Sequence, residues 1–452
     1  MPLETRRQAG EASRGVSPDV ESALDARHAA EAFVDRHLRW NVLALGADYG
    51  LFMVGLALMS ANTVLPAFAA SLGASTVLIG AIPAVMTVGW FLPPLFAAAH
   101  AERLPQKLPF VLRWTGWERA PFPALALIAF LLADRAPALA MWLLLAMLLL
   151  MTAVGGALMP AWTDLVARAL PTRIRGRFFG LASCAGTVGG LLGSALIAWA
   201  LGALPSSAAY GLCFLAATLF VGLSWIALAL VREPPATGAP ASADFWTHLV
   251  SVPALLRQDT NFRSYLVARA LGFGGVVGSG FFTVYALRVL EAPATSVGLF
   301  TALLLAGQIG GQIVLGWVAD RAGHRRVLVI AAAMSAAMNV IAITAGSVAI
   351  FSVVFALNGV FTAAIQVSAV SVLLEFAPAA HQNPTYVGIE RTFLAPFGFA
   401  LPLVGGLLID AAGYGLVFWL SAAFSLASAA VLLGLVRDPR HRPGVTPRET
   451  LA

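Results

Sequence analysis

The apolar residues of this chain come in long blocks, not in the single stripes that mark a helix lying on a soluble core. Twelve such blocks stand near 42–69, 76–99, 108–132, 137–163, 176–202 and 208–231, then near 262–289, 295–318, 326–346, 348–376, 386–409 and 413–436. Each exceeds the roughly 18 residues that cross a hydrocarbon core of ~30 Å as a helix. The pattern predicts an all-α, polytopic membrane protein of twelve transmembrane helices arranged as two six-helix bundles.

Polar punctuation divides the chain. Residues 1–40 precede the first block, 41–231 form a first bundle, 232–260 a linker, 261–437 a second bundle, and 438–452 a tail. The linker opens on Arg232-Glu233-Pro234-Pro235 and stays rich in Pro and Ala through Ser242. Phe245 to Val250 then reads either as a short amphipathic helix on the membrane surface or as the start of the seventh span. Ser17-Pro18 predicts a helix start running to Arg39. No uninterrupted apolar core follows the early arginines, so this segment is expected to be a cytoplasmic helix or tail and not a signal peptide.

Composition agrees: 59% of residues are hydrophobic and 11% charged, too little charge for a water-facing surface. The net charge of +6 comes from 28 basic residues, of which Lys107 alone is lysine. They sit in alternate loops: Arg103 and Lys107; Arg168, Arg173, Arg175 and Arg177; Arg232, Arg257 and Arg263; Arg321, Arg325 and Arg326. The other loops hold little beyond Arg135 and Arg288. The positive-inside rule accounts for these residues without a nucleic-acid partner and predicts a cytoplasmic-membrane protein with both termini in the cytoplasm. Cys184 and Cys213 lie inside apolar blocks and indicate no disulfide framework.

One polar stretch carries more information than the blocks around it. Gly316-Trp317-Val318-Ala319-Asp320-Arg321-Ala322-Gly323-His324-Arg325-Arg326 puts a carboxylate, a helix-ending glycine and a run of guanidinium groups at the edge of the bilayer. A weaker copy, Ala98-Ala99-His100-Ala101-Glu102-Arg103-Leu104-Pro105-Gln106-Lys107, lies 218 residues earlier, which makes the chain two related halves. Twelve spans in two sixes, with Gly316-x-x-x-Asp320-Arg321-x-Gly323-x-Arg325-Arg326 between the eighth and ninth, resemble the major facilitator superfamily over roughly residues 40–437. In that family the motif is usually best formed between the second and third helices; here Ala98, Glu102 and Pro105 replace its Gly, Asp and second Gly. The resemblance implies two bundles that rock about a midplane site, and a gate in which Gly316, Asp320, Arg321, Gly323, Arg325 and Arg326, with Glu102 and Arg103, latch the cytoplasmic side. The competing reading of these residues is interfacial anchoring and topology alone. The arginine-rich Pro171 to Arg177 loop resembles the family too and has the same alternative.

Charges within spans cost roughly 2.5–3.5 kcal/mol each on insertion scales, so they tend to face a cavity or a counter-charge. Asp48 in the first span and Arg269 in the seventh fall at similar depth when Thr63-Val64 is aligned with Thr283-Val284. Asp48 and Asn62, fourteen residues apart, would share a helix face, as would Arg269 and Thr283. Both charges are expected to face the central cavity and bind solute or proton, against a static ion pair. Asn358, Thr362 and Gln366 form a polar stripe on the tenth span, expected to line the cavity; Gln308 and Gln312 on the eighth are expected to join helices. Glu118-Arg119, ten residues into the third span, reads either as a proton-coupling site or as an ion network within the first half, the network being favoured because the resemblance makes that helix peripheral. Glu390-Arg391 opens the eleventh span.

No Walker A loop is present, since Lys107 follows Gln106, and the seven histidines show no zinc spacing. The expected function is a secondary active transporter of a small organic solute by alternating access, with proton coupling expected from the in-span carboxylates, and with a small-molecule solute, the proton and the lipid bilayer as partners. No enzyme activity, cofactor or metal is expected, and the chain is expected to be a monomer. The alternative is a non-transporting membrane receptor or sensor on the same scaffold.

Overall fold

With lipid as solvent, the backbone must satisfy its own N–H and C=O groups, and continuous helices do so. The computed structural model describes residues 18–234, 257, 259–377 and 383–438, and every extended element among them is helical. Span 1 is α1 (Pro18–Leu58) and α2 (Val64–Ser71); span 2 is α3 (Thr76–Phe91) and α4 (Pro93–Arg103); span 3 is α5 (Leu108–Arg119) and α6 (Pro121–Leu132). Spans 4 to 6 are α7 (Pro137–Ala169), α8 (Thr172–Ala203) and α9 (Ser206–Ala229). Span 7 is α10 (Thr260–Gly275) and α11 (Phe282–Arg288), joined by a 3-10 turn over Val277–Phe281. Spans 8 to 12 are α12 (Ser296–Ala322), α13 (His324–Thr344), α14 (Val348–Phe376), α15 (Asn383–Ala412) and α16 (Tyr414–Gly434).

Among the described residues, ten helical segments are long and apolar enough to cross a membrane. Spans 2 and 3, each divided where prolines, Pro93-Pro94 and Pro121, restart the helix, are consistent with the expected twelve. The first helix runs without a break from Pro18 to Leu58, through the expected stop at Arg39. Phe245 to Val250, Pro378 to His381 and the chain beyond Asp438 lie outside the described residues.

Two breaks correct the sequence reading. Helix α1 ends at Leu58, so Asn62 sits in a turn and shares no continuous helix face with Asp48. Likewise Arg269 and Thr283 are separated by the 3-10 turn of span 7. A broken helix frees backbone groups, and polar side chains take them up. Thr283 Oγ1 donates to the Asn62 carbonyl (2.7 Å), Ser335 Oγ and Asn339 Nδ2 donate to the Gly275 carbonyl (3.0 and 3.1 Å), and Gly278 N donates to Ser421 Oγ (3.0 Å).

The helices pack as two lobes related by a pseudo-dyad. In the first lobe span 1 packs on spans 5 and 6, and span 4 on spans 2 and 3. In the second, span 7 packs on spans 11 and 12, and span 10 on spans 8 and 9. Between lobes, span 2 meets span 11 and span 5 meets span 8, pairs that the same two-fold exchanges. The outer surface is apolar, with Leu181, Leu192, Trp199, Trp225, Leu219 and Trp419 exposed, as lipid contact requires.

A repeated device closes each lobe. Asn41 Nδ2 donates to the Arg232 carbonyl (2.9 Å) and its Oδ1 accepts from Arg232 N (3.0 Å). Asn261 does the same to Arg437, at 3.0 and 2.7 Å. The clamped segments, Leu230-Val231-Arg232-Glu233-Pro234 and Leu435-Val436-Arg437-Asp438-Pro439, are near copies that end spans 6 and 12.

Contacts between the lobes gather at the end away from the termini. Thr76 Oγ1 lies 2.8 Å from the Gly406 carbonyl and 2.6 Å from Asp410 Oδ1, Thr63 Oγ1 lies 2.7 Å from Thr301 Oγ1, and Arg288 donates to the Ala74 carbonyl (2.7 Å). Gly298 of span 8 abuts Ser194 and Ala198 of span 5 so closely that an added Cβ would lie 2.5 Å from that of Ala198. Eighteen residues further along each helix, about five turns, stand Gly316 and Gly180, on the same faces but with nothing among the described residues within 4 Å of where a Cβ would be. The two helices therefore touch at one end and diverge at the end bearing the termini and the arginine-rich loops.

Candidate functional site

Asp48 extends the inward face of α1 that also carries Asn41 and Leu45, all three buried. That face points into the first lobe, toward spans 3 and 6, not across to span 7. Arg119, the last residue of α5, meets it there: Nη2 lies 3.0 Å from Asp48 Oδ1. Ser224 of span 6 ties both, accepting from Arg119 Nη2 (2.8 Å) and donating to Asp48 Oδ1 (2.7 Å). Trp162 Nε1 of span 4 donates to Asp48 Oδ2 (3.2 Å).

The same guanidinium serves a second carboxylate. Arg119 Nη1 lies 3.4 Å from Glu118 Oε2, and Thr115 bridges the two, accepting from Arg119 and donating to Glu118 Oε2 (2.9 Å). Arg119 Nε donates to the Val221 carbonyl (3.3 Å), and its guanidinium carbon stands 5.3 Å from the centroid of Phe52. Glu118 Oε1 makes no hydrogen bond among the described residues. It lies against Gly155, where an added Cβ would come within 2.5 Å of it. Two carboxylates thus share one cation, and all three side chains are nearly buried.

The cluster borders a cavity of about 110 Å³, lined also by Tyr49, Phe52, Met53, Trp90, Met159 and Trp162. Tyr49, Trp162 and Phe179 form an aromatic wall, with ring centroids 5.9–6.1 Å apart. Arg269 has a separate arrangement in the second lobe. Its Nε lies 3.1 Å from Glu390 Oε1, which also accepts from the Tyr265 hydroxyl (3.1 Å). Asp48 and Arg269 therefore each find a counter-charge inside their own lobe. A second cavity of about 170 Å³ lies beside Arg269, between spans 7, 9, 10 and 12, the dyad counterpart of the first, with Ser335, Ser425 and Ser428 on its lining.

The stripe on span 10 divides. Asn358 is buried, with no partner for its Nδ2 among the described residues; Thr362 Oγ1 donates back to the Asn358 carbonyl (2.8 Å). Gln366 Oε1 accepts from Gln308 Nε2 (3.0 Å) and Gln312 Nε2 (2.9 Å), so the three amides join spans 8 and 10. In the gating motif, Gly323 has φ +90°, the left-handed conformation that a glycine supplies at a helix end. Arg321 stacks 4.0 Å over Trp317, and Arg325 donates to the carbonyls of Leu432 and Leu433 at the end of span 12 (2.8 and 2.7 Å). Gly316 and Asp320 lie on span 8 where it parts from span 5, and Arg326 is exposed at the start of span 9. Arg103 is exposed at the end of α4; the Glu102 side chain lies outside what is described. Lys107 Nζ donates to the carbonyls of Ala101 and Leu104 (2.5 and 2.8 Å) and lies 3.4 Å from Asp164, while Glu233 accepts from the backbone N of Lys107 and Leu108 (2.8 Å each).

Thr115, Trp162, Ser224 and Gly155 complete the site without having been singled out in the sequence. The Gly155-Gly156 pair was the one available mark, since adjacent glycines in a span signal a close approach.

With this geometry in hand, the comparisons agree on the class. Residues 283–451 match the family model described as Major Facilitator Superfamily. The described chain resembles the nucleoside transporter NupG (TM-score 0.66, 14% identity, covering 88% of this chain and 100% of that one). It also resembles a D-xylose-proton symporter (TM-score 0.63, 14% identity, 89% and 99%). At these identities the likeness is one of fold. Residues 283–451 thus match the family in sequence, and the described chain shares the fold of these solved transporters. It is 30% identical over 144 residues to the tetracenomycin C resistance and export protein of Streptomyces glaucescens, a match covering 32% of this chain and 25% of that protein. The match thus spans about a quarter of that relative's length.

Proposed function

We propose that this protein is a secondary transporter that moves a small organic solute across the cytoplasmic membrane by alternating access, with both termini in the cytoplasm and a proton as the coupling ion. One observation carries the reading: two buried carboxylates, Asp48 and Glu118, share the single guanidinium of Arg119 at the edge of a cavity. With both ionised, the cluster holds a net charge of minus one in a low-dielectric setting, which is unfavourable. A proton on either carboxylate neutralises it, so occupancy by the proton is linked to what else the cavity holds. The divergence of spans 5 and 8 toward the basic loops supports an inward-open arrangement, with the motif around Asp320 placed to meet span 5 when that side shuts. The export protein named above favours outward movement of the solute.

The test uses everted vesicles from bacteria producing the full chain, energised and stained with a dye that reports the pH gradient. A panel of sugars, nucleosides and polycyclic aromatics is added in turn. A transported solute dissipates the gradient in vesicles carrying the wild type and not in those carrying equal amounts of folded Asp48→Asn. A response of unchanged size and pH dependence in Asp48→Asn would remove the coupling assignment. Solute binding without any dissipation would favour a sensor.

A further inference from the structure

The charge count and the wall of the first-lobe cavity together specify what its ligand looks like. We propose that the Asp48–Glu118–Arg119 pocket takes the positively charged head of an amphiphilic, aromatic monocation, which exchanges there for one proton. The proposal rests on the transport reading above for its direction, but its chemistry can be tested by binding alone.

First, the deficit is one positive charge. The titratable groups on the lining are Asp48, Tyr49, Glu118 and Arg119, so two acidic carboxylates face one permanent cation. A neutral solute leaves that deficit in place, and an anion doubles it. A monocation fills it, and so does a proton, which makes the two mutually exclusive occupants.

Second, the deficit is accessible on one atom. Both oxygens of Asp48 are engaged: Oδ1 accepts from Arg119 and Ser224, and Oδ2 accepts from Trp162. Glu118 is held through Oε2 alone, and its Oε1 has no hydrogen-bond partner among the described residues. An acceptor left open on a cavity wall can take a donor from what the cavity holds. Gly155 provides the room for it, since the Cβ of any other residue would crowd Oε1.

Third, the rest of the wall suits a soft, flat cation. Tyr49, Phe52, Trp90 and Trp162 surround the carboxylates, with Met53 and Met159 beside them. Aromatic faces attract cations, most strongly where water is excluded, and methionine adapts to irregular apolar shapes. Size sets the remaining limit. A cavity on the order of 150 Å³ accommodates one benzene ring, so the 110 Å³ here admits an ammonium head or part of one ring. The bulk of a larger ligand would have to lie outside the pocket.

The test uses the purified full-length chain in detergent and titration calorimetry in two buffers of different ionisation enthalpy. Ethidium serves as the planar monocation, 9-anthracenemethanol as the neutral probe and fluorescein as the anion. The expected result is saturable ethidium binding with about one proton released per site, and at least about tenfold weaker binding of the other two. Glu118→Gln should remove the proton release and the preference for ethidium while sparing what binding the neutral probe shows. Glu118→Asp, which keeps the charge, should restore both in part, and it separates loss of charge from loss of fold. Equal binding of all three probes overturns the proposal, as does ethidium binding that releases no proton or ignores Glu118→Gln. Selective ethidium binding without flux in vesicles would sink the transport reading and leave the ligand class standing. A pH-gradient response to sugars alone, with no ethidium binding, would do the reverse.

Discussion

Arg119 is the residue on which the site turns, because among the described residues it is the only cation between Asp48 and Glu118. Removing one partner of a buried pair leaves an uncompensated charge and typically costs about 3–5 kcal/mol. Arg119→Gln should therefore lower the thermal midpoint of the purified protein sharply, and addition of Glu118→Gln to it should recover part of the loss. Equal losses in the single and double variants, followed by intrinsic fluorescence, would mean that Glu118 is not coupled to Arg119. Gly155→Ala acts on the same cluster from the other side by pressing on Glu118 Oε1. It should impair solute-driven proton movement more than it impairs stability, read as vesicle flux against midpoint. The charges themselves were legible, since Asp48, Glu118 and Arg119 stand out in apolar blocks. Their pairing was not: 71 residues separate Asp48 from Arg119, and helix rotation decides which face meets which. Aligning the halves matched Asp48 with Arg269 by depth, while the chain pairs each within its own lobe. Trp162 and Ser224 carried no mark at all, because a lone indole or hydroxyl in a span is ordinary.

At the scale of the element, the helix-ending Gly323 was legible and the helix breaks were not. Gly323 falls where a helix stops, while Pro93 and Pro121, which restart helices, stand inside the predicted second and third spans. The breaks after Leu58 and Gly275 have no such punctuation in common; they persist because Thr283, Ser335, Asn339 and Ser421, distant in sequence, take up the freed backbone groups. The duplicated Leu-Val-Arg-Glu/Asp-Pro ends gain their meaning only from Asn41 and Asn261, which clamp them from the start of another span. Each clamp satisfies one backbone donor and one acceptor. Leaving a buried polar group unpaired costs about 1–3 kcal/mol, whereas water can replace an exposed partner. Asn41 is fully buried and Asn261 is not. Asn41→Ala should therefore destabilise the protein by about 1–3 kcal/mol and Asn261→Ala by clearly less, compared by thermal unfolding in one detergent. The opposite order would show that the clamps do not act through burial.

At the scale of the whole molecule, the two lobes meet at one end and part at the other, and the sequence supplies a reporter for that difference. Cys184 is exposed on span 5, and Cys213 is buried in span 6. Cys184 lies fourteen residues before Ala198, which abuts Gly298 of span 8, and seven before Leu191, which packs on the core of the second lobe. It therefore looks into the gap where the helices diverge, and a maleimide should label it while Cys213 stays silent. Rocking of the lobes would carry Gly316 toward Gly180 and cover Cys184. Gly298→Leu drives a side chain into Ala198 and Ser194 at the joined end, so it should favour the opposite arrangement and slow labelling of Cys184. The Cβ of Gly316→Leu meets nothing among the described residues in the present arrangement, yet the side chain would obstruct closure at the basic end. Labelling should then stay as fast as in wild type while flux is lost. Two variants eighteen residues apart on one helix should thus move one thiol's reactivity in different ways. If both leave it unchanged, spans 5 and 8 do not exchange ends, and the alternating-access reading loses its structural basis.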